Sequence, residues 1–220
     1  MVHYKIWNDN KESVPTVYIH SFIGNGEDVW KAAHEIGCPP FNLVSIYDFN
    51  GDSDLSPWEA ENIWKGQPPF QGEAERHLKE ITERVVPEVE TLLPAPSAYV
   101  AMAGYSLAGL FTFWSCWHTT SFKRIACISS SFWYPDFVGY IQTNEMMNIP
   151  ESIYFSLGDK ESKTKHPLMK QVKGRTQDVH SFIESRGIPT TFEMNPGNHF
   201  TDSDKRTARG IQWILTHPNS

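Results

Sequence analysis

Along the chain, apolar runs of strand length alternate with segments whose apolar residues recur every three or four positions. Residues 14–23 read as a strand, followed by the turn Gly24-Asn25-Gly26 and a short helix through Val29, Trp30 and Ala33. Residues 41–49 read as a second strand that ends in the loop signal Asn50-Gly51-Asp52-Ser53. Between 71 and 93, Leu78, Ile81, Val85, Val89 and Leu92 keep helical spacing, and Pro87 predicts a kink or two abutting helices. Further strands are expected at 98–103, 124–130, 152–157 and 190–195, and further helices at 107–117, 167–185 and 203–215. Such alternation builds a mostly parallel central sheet with helices on both faces. Ligands in sheets of this kind bind beyond the carboxyl ends of the strands. Two stretches, 51–72 and 132–150, lack periodicity and read as long loops on that side.

Composition narrows the function classes. With 220 residues, 40% of them hydrophobic, the chain has material for one domain, 1–220, around a sizeable core. A formal net charge of −7 argues against a nucleic-acid partner, which needs a basic face. No run approaches the roughly 18 consecutive apolar residues of a membrane span, and residues 1–9 lack the apolar run of a signal peptide. No membrane association and a cytoplasmic location are therefore expected. Of the three cysteines, Cys116 and Cys127 lie in apolar runs, and with Cys38 they read as free thiols in a reducing compartment. Neither Cys-x-x-Cys nor His-Glu-x-x-His spacing occurs, so no metal or other cofactor is expected. The sequence carries no signal for oligomeric state.

Candidate chemistry centres on Gly104-Tyr105-Ser106-Leu107-Ala108-Gly109, directly after the apolar run Ala98-Tyr99-Val100-Ala101-Met102-Ala103. A buried strand that ends in Gly-x-Ser and turns at once into a helix is how α/β-hydrolases expose a nucleophilic serine. A serine needs an adjacent base, and the base an orienting acid, in this fold class in the chain order serine, acid, histidine. Five histidines follow Ser106, and His199 alone stands in a loop immediately after a predicted strand, in Asn195-Pro196-Gly197-Asn198-His199. The acid should follow the strand 152–157, where Gly158-Asp159-Lys160-Glu161 offers two carboxylates. Spacing favours Glu161, with Asp159 as the alternative. Oxyanion donors are expected from the backbone of Leu107, the residue after the nucleophile, and of Phe22, in the loop after the first core strand. Phe132-Trp133-Tyr134-Pro135-Asp136-Phe137 in one long loop, and Trp58, Trp64 and Phe70 in the other, are expected to wall a substrate pocket, Trp133, Tyr134 and Trp58 foremost, the competing reading being core packing. Lys160, Lys163, Lys165, Lys170, Lys173 and Arg175 form a basic run, read either as bait for an anionic substrate or as a solvated face.

These segments together resemble the esterase branch of the α/β-hydrolases that includes siderophore esterases, feruloyl esterases, S-formylglutathione hydrolases and mycolyltransferases. The resemblance runs from Val17 to about Trp213. It is carried by the elbow, by Ser129-Ser130-Ser131-Phe132-Trp133, by Tyr154-Phe155-Ser156-Leu157-Gly158-Asp159-Lys160-Glu161 and by Pro196-Gly197-Asn198-His199-Phe200. It implies an α/β-hydrolase fold without a large lid domain, Ser106 as nucleophile, His199 as base, and Glu161 or Asp159 as acid. It implies a small-molecule ester as substrate, with acyl transfer and a non-catalytic binding protein as the alternatives. One departure is local: the branch usually reads Gly-x-Ser-x-Gly-Gly, and Ala108 stands at the first of the paired glycines.

Overall fold

In the computed structural model, which describes residues 2–217, the predicted alternation becomes one seven-stranded sheet. Its strands are β1 (His3–Trp7), β2 (Thr16–His20), β3 (Asn42–Tyr47), β6 (Val100–Tyr105), β7 (Arg124–Ile128), β8 (Ser152–Gly158) and β9 (Thr190–Asn195). The two-residue strands β4 (Glu59–Ala60) and β5 (Phe70–Gln71) form a separate ribbon. The sheet order is β1-β3-β2-β6-β7-β8-β9, parallel throughout except for β1, which pairs antiparallel with β3 at the edge. From β2 the chain first builds towards β3, then returns to lay β6 and its successors on the other side. The strand order therefore reverses between β2 and β6, where the carboxyl ends open a crevice.

Helices cover both faces, and the period of two along the strands decides what each meets. On one face Val17, Ile19, Ala101, Ala103 and Ala126 pack against α1 (Glu27–Glu35) and α8 (Ser203–Thr216), which contribute Ala32, Ala33, Ala208, Ile211 and Ile214. Tyr18, Val44, Met102, Ile125, Cys127 and Phe155 face the other way. They meet α3 (Ala74–Glu80), α4 (Val86–Leu92), α5 (Leu107–Trp114), α6 (Phe137–Thr143) and α7 (Val172–Ser185). Helix α5 is apolar all round and buried along its whole length, as a helix between sheet and outer helices must be.

The structure adds detail to the sequence reading at three points. The alternating segment His3-Tyr4-Lys5-Ile6-Trp7 is a further strand, short and at an edge. The two abutting helices expected around Pro87 are α3 and α4, joined by one turn of π-helix (Ile81–Val85), and Pro87 falls in the first turn of α4, where its missing N–H is tolerated. The two long loops contain the single turn α2 (Gly51–Asp54), the β4–β5 ribbon and α6. Among the described residues no helix is long and apolar enough to cross a membrane.

Candidate active site

Strand β6 ends at Tyr105 and α5 begins at Leu107, so the whole reversal falls on Ser106, which takes φ 58° and ψ −123°. A non-glycine residue pays for that left-handed backbone with strain of order 1–3 kcal/mol, which the flanking strand and helix impose. The close passage of strand and helix explains the flanking residues. A Cβ on Gly104 would lie 2.1 Å from the Ala108 carbonyl oxygen, and one on Gly109 would lie 2.0 Å from Ser130 Oγ. Glycine is thus required at 104 and 109, whereas Ala108 is accommodated fully buried. Gly104→Ala is expected to lose about 3 kcal/mol of stability by overpacking against backbone that cannot move aside. Ala108→Gly should cost only about 1 kcal/mol, the helix-propensity difference. Urea unfolding of both variants checks the contrast, and equal losses would contradict it.

The turn presents Ser106 Oγ at 2.9 Å from His199 Nε2, and His199 Nδ1 lies 2.7 Å from Glu161 Oε2. His199 and Glu161 arrive on the loops after β9 and β8, which the backbone knits together: Asp159 N–H donates to Asn195 O at 2.8 Å and Lys160 N–H to Gly197 O at 3.0 Å. Asp159 has a different partner from Glu161, since its Oδ1 accepts the Gly197 N–H at 2.8 Å. Tyr105 Oη adds a further tie by donating to the His199 carbonyl at 2.8 Å.

The Glu161 side chain is only 2% exposed, yet its second oxygen is fully engaged. Oε1 accepts from Gly158 N–H at 2.6 Å, Ser129 Oγ at 2.7 Å and Arg206 Nη1 at 3.3 Å. Burial by itself would raise the carboxyl's pKa; the hydrogen bond and charge of His199, with Ser129 and Gly158, outweigh burial and hold it below the ordinary carboxylate value. Arg206, 3% exposed on α8, also donates to the Pro196 carbonyl at 2.8 Å, so one guanidinium holds both the Glu161 and the His199 loops. Arg206→Met is expected to cost about 3 kcal/mol in urea unfolding, because it strips a buried carboxylate of its counter-charge. A loss under 1 kcal/mol would contradict that role.

Leu107 is the first residue of α5, so its N–H has no carbonyl partner within the helix. Phe22 lies across the cleft, just after β2, and both residues line the same cavity as Ser106. The loop carrying Phe22 is anchored beneath by His20, whose Nε2 sits 3.0 Å from His77 Nε2 among Phe49 and Phe111. Burial pushes both imidazoles below their ordinary pKa, so this pair is neutral at pH 7.

The cleft over Ser106 has a volume of about 200 Å³ and is walled by Phe22, Ile63, Trp64, Phe70, Trp133 and Phe200. Of the aromatic residues expected there, Trp64, Phe70 and Trp133 line it. Tyr134 and Trp58 open instead onto an adjacent groove. They couple the two long loops: Tyr134 Oη donates to Trp58 O at 2.6 Å, and Trp58 Nε1 donates to Pro135 O at 3.2 Å. The cations of the basic run, Lys160, Lys163, Lys165, Lys170, Lys173 and Arg175, are exposed, and none of them lines the cleft. Sequence reasoning passed over Arg206, although a charge in register with Gly210 and Ile214 on the buried stripe of α8 was its signal. It also missed Asp52, Ser131, Met169 and Val172, which reach the cleft from outside the elbow and the loops of Glu161 and His199. Among the described residues no group of three or more His, Cys, Asp or Glu side chains is arranged to hold a metal ion.

No protein-family model matches the chain. It is 22% identical over 213 residues to the uncharacterized protein YbbA of Bacillus subtilis (strain 168), covering 91% of this chain and 85% of that one. Among solved structures it is similar to an IroE-like serine hydrolase from Shewanella oneidensis, with TM-score 0.79 and 17% identity over 96% of this chain and 75% of the other. It is similar to the BES protein from Bacillus cereus, with TM-score 0.74 and 15% identity over 98% and 91% of the two chains. It is also similar to the siderophore hydrolase EstA from Aspergillus nidulans, with TM-score 0.68 and 17% identity over 96% and 89%. Identities this low carry the architecture rather than the substrate. The chain has the α/β-hydrolase fold, in the form taken by these serine and siderophore hydrolases.

Proposed function

We propose that the protein is a serine hydrolase that cleaves a carboxylic ester or thioester through an acyl-enzyme intermediate. The observation that carries this reading is the continuous hydrogen-bonded line from Ser106 Oγ through His199 to buried Glu161, at 2.9 and 2.7 Å, on a strained turn at a helix N-terminus. Ser106 Oγ attacks the ester carbonyl while His199 Nε2 takes its proton. The Leu107 and Phe22 N–H groups receive the oxyanion. Collapse of the tetrahedral intermediate breaks the C–O or C–S bond, and the leaving alkoxide or thiolate takes the proton from His199. Water then attacks the acyl-Ser106 carbonyl with His199 again as base, releasing the acid and restoring the serine. Glu161 stays ionised throughout and fixes the imidazole in the tautomer with Nδ1–H.

Three unpaired thiols among the described residues support the accompanying proposal of a cytoplasmic, reducing setting. The test is stopped-flow hydrolysis of p-nitrophenyl butyrate. A burst of p-nitrophenol equal to the enzyme concentration, with free butyrate as final product, supports acyl-enzyme hydrolysis. Product that forms only with an added alcohol or thiol would replace the hydrolase by an acyltransferase. No turnover of any activated ester would contradict both.

A further inference from the structure

The walls of the cleft carry an asymmetry of charge. Its lining includes Asp52, Glu161 and His199 but no lysine or arginine. Glu161 has both oxygens engaged in hydrogen bonds, leaving Asp52 as the lining carboxylate with an oxygen, Oδ1, that has no hydrogen-bond partner among the described residues. Asp52 is half-buried on α2, its Oδ2 held by Asn62 Nδ2 at 2.9 Å, and among the described residues it forms no salt bridge. Its helix neighbour Asp54 is paired outward with Arg76 at 2.6 Å, so that cation is spent elsewhere. The remaining wall is aromatic, with Phe22, Trp64, Phe70, Trp133 and Phe200 around the same space. Aromatic faces attract a desolvated cation, and a fixed carboxylate without a counter-ion attracts it further while repelling an anion.

We propose, resting on the hydrolase reading above, that the cleft selects esters bearing a cationic group, an ammonium within a short chain of the scissile carbonyl, and that Asp52 determines this specificity. Lys160, Lys163, Lys165, Lys170, Lys173 and Arg175 do not supply a balancing charge, because none of them lines the cleft and Arg175 is within 3.7 Å of Asp178.

The experiment compares matched pairs that differ only in charge. Butyrylcholine against 3,3-dimethylbutyl butyrate puts the cation on the alcohol side. p-Nitrophenyl 4-(trimethylammonio)butyrate against p-nitrophenyl 5,5-dimethylhexanoate puts it on the acyl side. At low salt the cationic member of at least one pair is expected to have a kcat/KM about tenfold higher or more, a preference that shrinks as salt is added. Asp52→Asn should bring that ratio close to one, and Asp52→Glu should keep its direction. Binding of tetramethylammonium, followed by quenching of tryptophan fluorescence from Trp64 and Trp133, gives a readout that needs no turnover. It should weaken in Asp52→Asn. Neutral isosteres preferred in both pairs, or a cation preference and tetramethylammonium affinity untouched by Asp52→Asn, would overturn the inference. Turnover of p-nitrophenyl butyrate in the same preparations keeps that failure separate from failure of the hydrolase reading.

Discussion

Ser106→Ala is expected to lower kcat for p-nitrophenyl butyrate by about 10⁵- to 10⁶-fold, the loss typical when the nucleophile of a serine hydrolase is removed. The size of the effect follows from what the variant lacks. Without Oγ there is no atom to form the acyl bond and no proton for His199 Nε2 to take across the 2.9 Å contact. What survives is the cleft and its backbone donors, which retain a small residual rate over water. The fold should be unaffected. Alanine keeps the Cβ, and the Ser106 N–H to Ile128 O and Ser131 N–H to Ser106 O hydrogen bonds, both 3.0 Å, are made by backbone. A melting temperature within 2–3 °C of wild type, on the order of 1 kcal/mol for a chain of this size, separates lost chemistry from lost structure. Activity within tenfold of wild type would contradict the role given to Ser106.

The second large effect distinguishes the two carboxylates of the Gly158-Asp159-Lys160-Glu161 loop. Glu161→Gln is expected to cost about 10³- to 10⁴-fold in kcat with little change in KM, because an amide facing His199 Nδ1 no longer enforces the tautomer that leaves Nε2 free to accept the serine proton. Asp159→Asn should cost less than about tenfold, since Asp159 Oδ1 accepts a backbone N–H from Gly197 and an amide oxygen can do the same. Steady-state kinetics of both variants on one ester check the contrast. A larger loss in Asp159→Asn than in Glu161→Gln would exchange their roles.

Much of this architecture was legible in the chain because its strands are buried on both faces and therefore read as unbroken apolar runs, as in Ile153-Tyr154-Phe155-Ser156-Leu157. Strand β9 was delimited to the residue, since Pro189 stands immediately before it and Pro196 immediately after. What escaped were elements whose stability comes from tertiary contact. Strand β1 is half-exposed and holds its place through pairing with β3, and α6 is a seven-residue helix packed on α7 that would be marginal alone. In the candidate site, Ser106, Glu161 and His199 could be singled out because each follows a strand in a fixed chain order. The cleft wall could be assigned to the aromatic residues of the two long loops, but not residue by residue. Whether Trp133 or its neighbour Tyr134 meets the cavity depends on side-chain direction within an irregular loop, where no period applies. The same holds for Asp52, separated from Ser106 by more than fifty residues of chain and brought to the cleft by α2.

The central claim, that Ser106 is an activated nucleophile, is tested most directly by treating the protein with a fluorophosphonate and reading its intact mass. One covalent adduct per chain, on Ser106 by peptide mapping and absent from Ser106→Ala, is the predicted result. A folded wild-type protein that takes up no adduct, or an adduct that persists in Ser106→Ala, would contradict it.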